Sequence, residues 1–378
     1  MRRAAVRVLA LLAGLGVGTG AAAQTRPAAV PVAAEAAVVY RGWSIQEAGG
    51  ESNLSQLAFP IFIRTELTRD LGFSYLFNTA SSTLDTGGAG SNELSGVTDG
   101  KLALDYTLPD PRFSLGLGVR VPTGESILTP GEETVAGVLI DRMLGFYVRR
   151  YGEGTDIELR GGYAAAMNRG VAVSVGAAFL VKGSFDVADP AASGLSSYDP
   201  GDEFAVFGAA LYHLGATSIM TRVRFAAFGT DVRDGNPELD EGNQLAIDVT
   251  ASQELFRGVL DAGVELLVKD ETALFGEGGL VPLRDVGGNI LRINADFNAR
   301  LDARTTLGGF VGLGFFGENS TGAGDGFLFE IGPHATYALS PHLNLNGRWI
   351  LMTGSTEDST IDLSGNAVSV SVGLGGGR

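Results

Sequence analysis

The sequence predicts an all-β fold, a transmembrane antiparallel β-barrel with an even number of strands, about 14 to 16, and a short helix in one external loop. Three observations carry this. The chain opens with an export signal. Beyond that signal it holds no apolar run of about 18 residues able to cross a bilayer as a helix. From Leu57 onward it repeats alternating segments long enough for bilayer-crossing strands, which need about 9 to 11 residues.

The signal is residues 1–23. Arg2, Arg3 and Arg7 precede an apolar run from Val8 to Val17, and small residues follow, ending in Ala21, Ala22 and Ala23. Charged, apolar and small-residue regions in that order mark a cleaved secretory signal, with Gln24 as the first mature residue. Residues 24–37, rich in Ala, Pro and Val, read as a flexible periplasmic leader or a lumen insert. Residues 38–378 read as the barrel.

The strands declare themselves by a period of two. In Arg112 to Val121, Phe113, Leu115, Leu117, Val119 and Val121 share one face, and Ser114, Gly116, Gly118 and Arg120 take the other. Val171, Val173, Val175, Ala177, Phe179 and Val181 repeat the scheme. So do Leu291, Ile293, Ala295, Phe297, Ala299 and Leu301, set against Arg292, Asn294, Asp296, Asn298 and Arg300. An uncharged face opposite a small or charged one fits a lipid exterior and a polar lumen. Glycine, 56 of 378 residues, fits turns and closely packed strands rather than a collagen repeat. A strand at Val38 to Ile45 completes 16; without it, and with one segment fewer, the barrel has 14.

Tight turns recur at Thr68-Arg69-Asp70, Leu108-Pro109-Asp110-Pro111, Leu301-Asp302-Ala303-Arg304 and Leu339-Ser340-Pro341-His342, where Pro, Asp and Ser pre-set the backbone. Longer Gly, Asp and Ser stretches alternate with them near 83–96, 184–203, 230–243, 269–288, 318–326 and 354–362. Short periplasmic turns and long external loops are the usual asymmetry of such barrels. Tyr106 and Phe113, and Tyr337 and Trp349, flank two of the turns as interfacial aromatics or as ordinary strand formers.

Residues 122–154 break the rhythm. Thr129-Pro130-Gly131-Glu132 has the spacing of a capping box with proline at the first helical position. Val135, Val138, Leu139 and Met143 follow at helical spacing, and Gly145 is placed to end the helix. These four apolar residues are the candidate gating-loop residues.

Leu94-Ser-Gly-Val-Thr-Asp-Gly-Lys-Leu-Ala-Leu-Asp-Tyr106, Val119-Arg-Val-Pro-Thr-Gly124 and Tyr198-Asp-Pro-Gly-Asp-Glu203 resemble, in order and spacing, the outer-membrane transporters grouped around the long-chain fatty-acid channel and the phenol meta-cleavage pathway proteins. The resemblance covers mainly residues 50–205. It implies a monomeric barrel that passes small hydrophobic molecules, with an N-terminal segment plugging the lumen.

Chemistry-bearing constellations are sparse. There is no cysteine, and His213, His334 and His342 lack metal-ligand spacing. No G-x-S-x-G elbow occurs. Gly96-Val-Thr-Asp-Gly-Lys101 falls one residue short of a phosphate loop and continues with Leu102 where Ser or Thr is required. No enzyme, cofactor or metal is expected. Asp231, Asp234, Glu238, Asp240 and Glu241 crowd one loop, as a solvated external loop or a calcium site. The net charge of −16 argues against nucleic acid as a partner.

The candidate lumen-lining residues are Arg120, Asp156, Glu158, Arg160, Lys182, Arg292, Asp296, Arg300, Glu330 and Arg348. Their mixed signs suit either a network of cross-strand pairs or a selectivity site. The expected function is passive passage of small hydrophobic molecules through the bacterial outer membrane. The alternative is a structural or interaction barrel whose external loops bind a partner. The expected partners are outer-membrane lipid, the barrel-assembly machinery and a small hydrophobic solute.

Overall fold

The computed structural model describes residues 32–188, 194–275, 287–318, 325–356 and 360–375. The expected signal at 1–23 lies outside them. The first strand starts at Val32, so the end of the stretch read as a leader is part of the wall.

The strands in chain order begin with β1 (Val32–Glu47), β2 (Gly50–Glu66), β3 (Leu71–Asp85), β4 (Ser91–Val97), β5 (Gly100–Thr107) and β6 (Phe113–Val121). There follow β7 (Asp156–Ala166), β8 (Val171–Lys182), β9 (Phe185–Ala188), β10 (Leu195–Asp199), β11 (Glu203–Leu214) and β12 (Thr217–Phe228). Then come β13 (Thr230–Arg233), β14 (Asn236–Asp240), β15 (Gln244–Leu255), β16 (Gly258–Lys269) and β17 (Ala273–Leu274). The last are β18 (Ile290–Arg300), β19 (Thr305–Phe316), β20 (Gly326–Ser340), β21 (Leu343–Thr356) and β22 (Ile361–Leu374).

β4 and β5 behave as one barrel strand broken at Thr98 and Asp99. β4 pairs the upper part of β3, from Thr79 to Asp85, and β5 pairs its lower part, from Leu71 to Leu76. Counted so, the wall is a closed antiparallel barrel of 16 strands. It is sealed where β1 meets β22, with Ala34 opposite Leu374 and Gln46 opposite Asp362. Closure leaves no unpaired edge, the condition a sheet must meet to span a bilayer.

The alternation sorts the two faces. Leu115, Leu159 and Val175 are 54%, 58% and 58% exposed on the outer side, in the same band as Phe59, Phe179, Ile293, Phe297 and Trp349. Exposed apolar side chains all round a closed barrel have one stable environment, the hydrocarbon of a membrane. The chain is therefore an outer-membrane β-barrel.

Both described chain ends and the short turns after β2, β5, β7, β11, β15, β18 and β20 lie at one end, the periplasmic one by that asymmetry. The longer connections lie at the other. Three expected external loops are more ordered than the sequence suggested. The stretch 83–96 is mostly strand, with a 3-10 turn at Gly87–Ala89 between β3 and β4. The stretches 184–203 and 230–243 carry β9, β10, β13 and β14, which join β17 in a separate five-stranded external sheet.

Candidate functional site

The connection between β6 and β7 turns inward and is built from its two feet. Where the wall breaks, the Asp99 carboxylate accepts the Gly124 N–H at 2.8 Å through one oxygen and the Glu153 N–H at 2.7 Å through the other. The Asp99 N–H donates to the Tyr151 carbonyl at 3.0 Å. The Thr123 hydroxyl donates to the Thr98 carbonyl and accepts from the Gly100 N–H. Outgoing and returning legs are thus pinned to one point. Gly124 permits it, because a Cβ there would lie 1.9 Å from the Tyr151 carbonyl oxygen. The failed phosphate-loop phrase at 96–101 is part of this clamp, and it meets the Val119 to Gly124 phrase that shares its resemblance.

The helix spans Pro130–Leu139. The Thr129 N–H donates to Glu132 Oε2 at 2.8 Å and the Glu132 N–H to Thr129 Oγ1 at 3.4 Å, completing the capping box. It ends before the expected Gly145. At Ile140 the chain leaves the helix, and the Asp141 carboxylate takes the Met143 N–H at 2.8 Å, so Met143 lies beyond the last turn. Val135 and Leu139 are fully buried, and Met143 nearly so. They join one cluster with Leu54, Leu84 and Leu94 on β2, β3 and β4, and with Leu328, Met352 and Leu363 on β20, β21 and β22; Val138 packs at its margin. The apolar face predicted as gating is spent on gluing the loop to the inner wall.

The returning leg is held by polar contacts. The Trp43 indole donates to the Leu144 carbonyl at 2.8 Å, and Arg41 donates to the carbonyls of Leu144 and Gly145. Gly145 has φ of +61°, a backbone state that favours glycine. The buried Gln56 amide donates to the Val148 carbonyl at 2.6 Å and accepts its N–H at 2.9 Å. From farther round the wall, Arg292 donates to the Arg142 carbonyl.

The sequence-selected charges fall into separate groups. Arg120 contacts Glu153 at 2.6 Å and Asp156 at 2.9 Å, the latter a charge contact rather than an aligned hydrogen bond. Arg160 sits between Asp105 at 2.6 Å and Glu158 at 3.1 Å. Glu330 pairs with Arg41 at 3.1 Å. Asp296 meets His334 Nε2 at 3.0 Å and takes the Asn298 amide. Arg348 stacks on Phe310, Arg292 on Phe316 and Lys182 on Phe228. Arg300 bends to the carbonyls of Asp302 and Ala303 in the periplasmic turn, apart from the rest.

Sequence reasoning missed Arg41, Asp99, Lys101, Asp105 and Glu153. Arg41, Lys101 and Asp105 obey the same alternation and were within its reach. Asp99 and Glu153 act through a loop contact that no periodicity marks.

Between the returning leg and the external ends of β5, β7, β8, β11, β12 and β15 lies a cavity of about 410 Å³. Phe185 and Tyr198 of the β9–β10 hairpin also line it. The acidic loop beside it is internally satisfied. Asp231 takes the Tyr198 hydroxyl and the Gly201 N–H, and Glu238 pairs with Arg233. Asp240 takes the Gly242 N–H and Glu241 the Gln244 amide. Among the described residues no three metal-ligating side chains come together.

No protein-family profile matches the chain, and no curated protein matches it. Among solved structures it is similar to OprB of Pseudomonas putida, with 12% identity, 90% of this chain and 94% of that one covered, and a TM-score of 0.48. It is also similar to OpdQ of Pseudomonas aeruginosa, with 14% identity, 91% and 97% coverage and a TM-score of 0.46. The outer membrane channel DcaP of Acinetobacter baumannii follows, with 11% identity, 91% and 97% coverage and a TM-score of 0.43. The barrel assignment rests on the chain's own closed register.

Proposed function

We propose that the protein is a passive diffusion channel for small molecules, narrowed by its inward loop. One observation carries this reading. Lys101, Glu265 and Asn294 lie on the inward face of a closed wall and are nevertheless exposed, so the interior has room for water beside the loop. Polar side chains turned to a water-filled interior are how such barrels conduct.

The resemblance over 50–205 implies hydrophobic cargo. Many of the inner apolar groups that such cargo would meet are closed into the cluster around the helix, with Val135 and Leu139 at 0% exposure. The lumen surface that remains mixes charged side chains such as Lys101 and Glu265 with half-buried aromatics such as Phe310, which favours small polar or amphiphilic solutes. A second reading, a barrel that binds a partner outside, is favoured by the external sheet, since strands from three loops make a stiffer platform than free loops would.

Liposome swelling separates them. Wild-type protein is expected to admit a small neutral sugar, and deletion of residues 130–143 to admit it faster, with heat-modifiable gel mobility showing that both are folded. Sealed wild-type liposomes would overturn the channel reading and favour the external platform. Saturable uptake of an aromatic hydrocarbon without sugar entry would restore hydrophobic cargo.

A further inference from the structure

We propose that the external end of the outer wall, over β21, β22 and β1 to β4, is a sugar-binding surface that lies against the uncharged headgroup sugars of an outer-leaflet glycolipid; this goes beyond the channel reading and does not depend on it. Along single strands the two faces exchange character. On β2, Phe59 and Leu57 point outward in the apolar band, and the next outward positions toward the external end are Ser55 and Asn53. The inward positions change the other way, from Arg64 near the periplasmic end to Leu54, fully buried in the cluster around the loop helix.

The pairing spreads that change over six neighbouring strands. Outward Asn366, Gly42, Ser55, Thr83 and Glu93 lie in one cross-strand row. Thr353, Ser364, Ser44, Asn53 and Asp85 lie in the next. Behind them Trp43, Leu54, Leu84, Leu94 and Leu363 face inward and are buried. Apolar inside and polar outside is the pattern of a sheet in water, so here the wall has left the hydrocarbon. On the opposite side it has not. Outward Phe204 and Leu245 are the second residues of β11 and β15, and Val268 and Phe315 are the last but one of β16 and β19. Tyr40 marks the boundary: its ring turns up along β1 and brings the hydroxyl over Gly42, where a Cβ would meet it at 2.5 Å. An apolar ring with its polar tip toward the headgroups is how tyrosine sits at a membrane interface.

Position and chemistry decide what touches this face. It continues directly from the lipid-facing band, so the headgroups of the lipids in that band stand against it. Serine and threonine hydroxyls and asparagine amides both donate and accept, as sugar hydroxyls do. No Lys or Arg occurs anywhere in these six strand ends, residues 42–47, 50–55, 81–85, 91–95, 353–356 and 361–366. Of the outward carboxylates, Glu51, Asp85 and Glu93 accept hydrogen bonds from Ser44, the Gly87 N–H and Ser81. With carboxylates and no cation, the face repels phosphate and is left to neutral sugars. Strands about 4.8 Å apart make the six roughly 24 Å across, wide enough for several sugar rings side by side.

The chain has no cysteine, so a nitroxide can be set at one position of the full-length protein. Ser55→Cys and Ser364→Cys report the proposed face and Phe59→Cys the apolar band, with folding checked by gel mobility. The vesicles are phosphatidylcholine alone or with phosphatidylglycerol, lipid A or lipopolysaccharide bearing its core sugars, all with divalent cations chelated by EDTA. Labels in place of Ser55 and Ser364 are expected to meet water in phosphatidylcholine and to be slowed most by the core-bearing lipopolysaccharide. The label in place of Phe59 should stay in hydrocarbon throughout. Ser44→Ala with Asn53→Ala is expected to relax the label in place of Ser364, which crowding alone would not do. Hydrocarbon around the first two labels would overturn the boundary. Equal freedom in all vesicles, slowing by phosphatidylglycerol as strong as by lipopolysaccharide, or slowing indifferent to the alanine pair would overturn the sugar contact. A conductance trace is indifferent to each of these results, so the channel reading stands or falls separately.

Discussion

Asp99 shows how much one side chain can organise. Hydrogen bonds to a charged group are worth about 1.5 to 3 kcal/mol each, and Asp99 accepts from both legs of the loop at once. Asp99→Ala is expected to release residues 122–154 while the wall stays closed. Hydrogen exchange should show faster amides at Gly124, Tyr151 and Glu153 and unchanged protection in β15 and β16; unchanged loop amides would refute the clamp. At the periplasmic end Asp302 accepts the N–H groups of Arg304 and Thr305 at 2.7 and 2.9 Å, and these bonds hold its carboxyl below the ordinary value. A depressed folded value means that the stability this turn adds is present above the unfolded pKa of about 3.9 and is lost as pH falls through the folded one. Asp302→Asn should flatten that part of an acid-unfolding profile, and an unaltered profile would dismiss the turn. Of these two residues only the turn was legible, because Asp beside Arg and Ala in a hairpin is a local signal, whereas the partners of Asp99 are distant in sequence.

Among elements, the wall strands were the most legible, since a period of two sorts lipid from lumen residue by residue. The register on β18 gives a sharp comparison between neighbours. Ile293→Arg places a charge in the apolar band, where it costs roughly 2 to 4 kcal/mol near the bilayer midplane, while Asn294→Arg points into the lumen. Refolding yield by gel mobility should fall for the first and hold for the second; equal yields would refute the register. The helix start was legible through its capping box, and Thr129→Ala is expected to cost about 0.5 to 2 kcal/mol of local stability, read as faster exchange at Glu132 and Glu133. The helix end was not, because Asp141 turns the chain by a side-chain bond before Gly145 is reached. Strands β9, β10, β13 and β14 were read as loop because they are only 4 or 5 residues long, too short for alternation to show.

At the scale of the molecule, closure decides the count that the sequence left between 14 and 16. Val32 to Glu47 supplies the strand that pairs both β2 and β22; the sequence offered it as Val38 to Ile45, and its early residues, Ala-rich and weakly patterned, hid where it starts. The inward course of the loop was equally hidden. Helical spacing shows that Val135, Val138 and Leu139 need a surface to cover, and only the closed wall supplies the inner faces of β2 to β4 and β20 to β22 that receive them. The molecule is thus a wide barrel narrowed on one side, with mixed charges on the surface left open. The most direct test of that account is the conductance of purified, folded wild-type protein in a planar bilayer. Discrete steps are expected, growing in size when residues 130–143 are removed; a folded wild-type barrel that never conducts would contradict it.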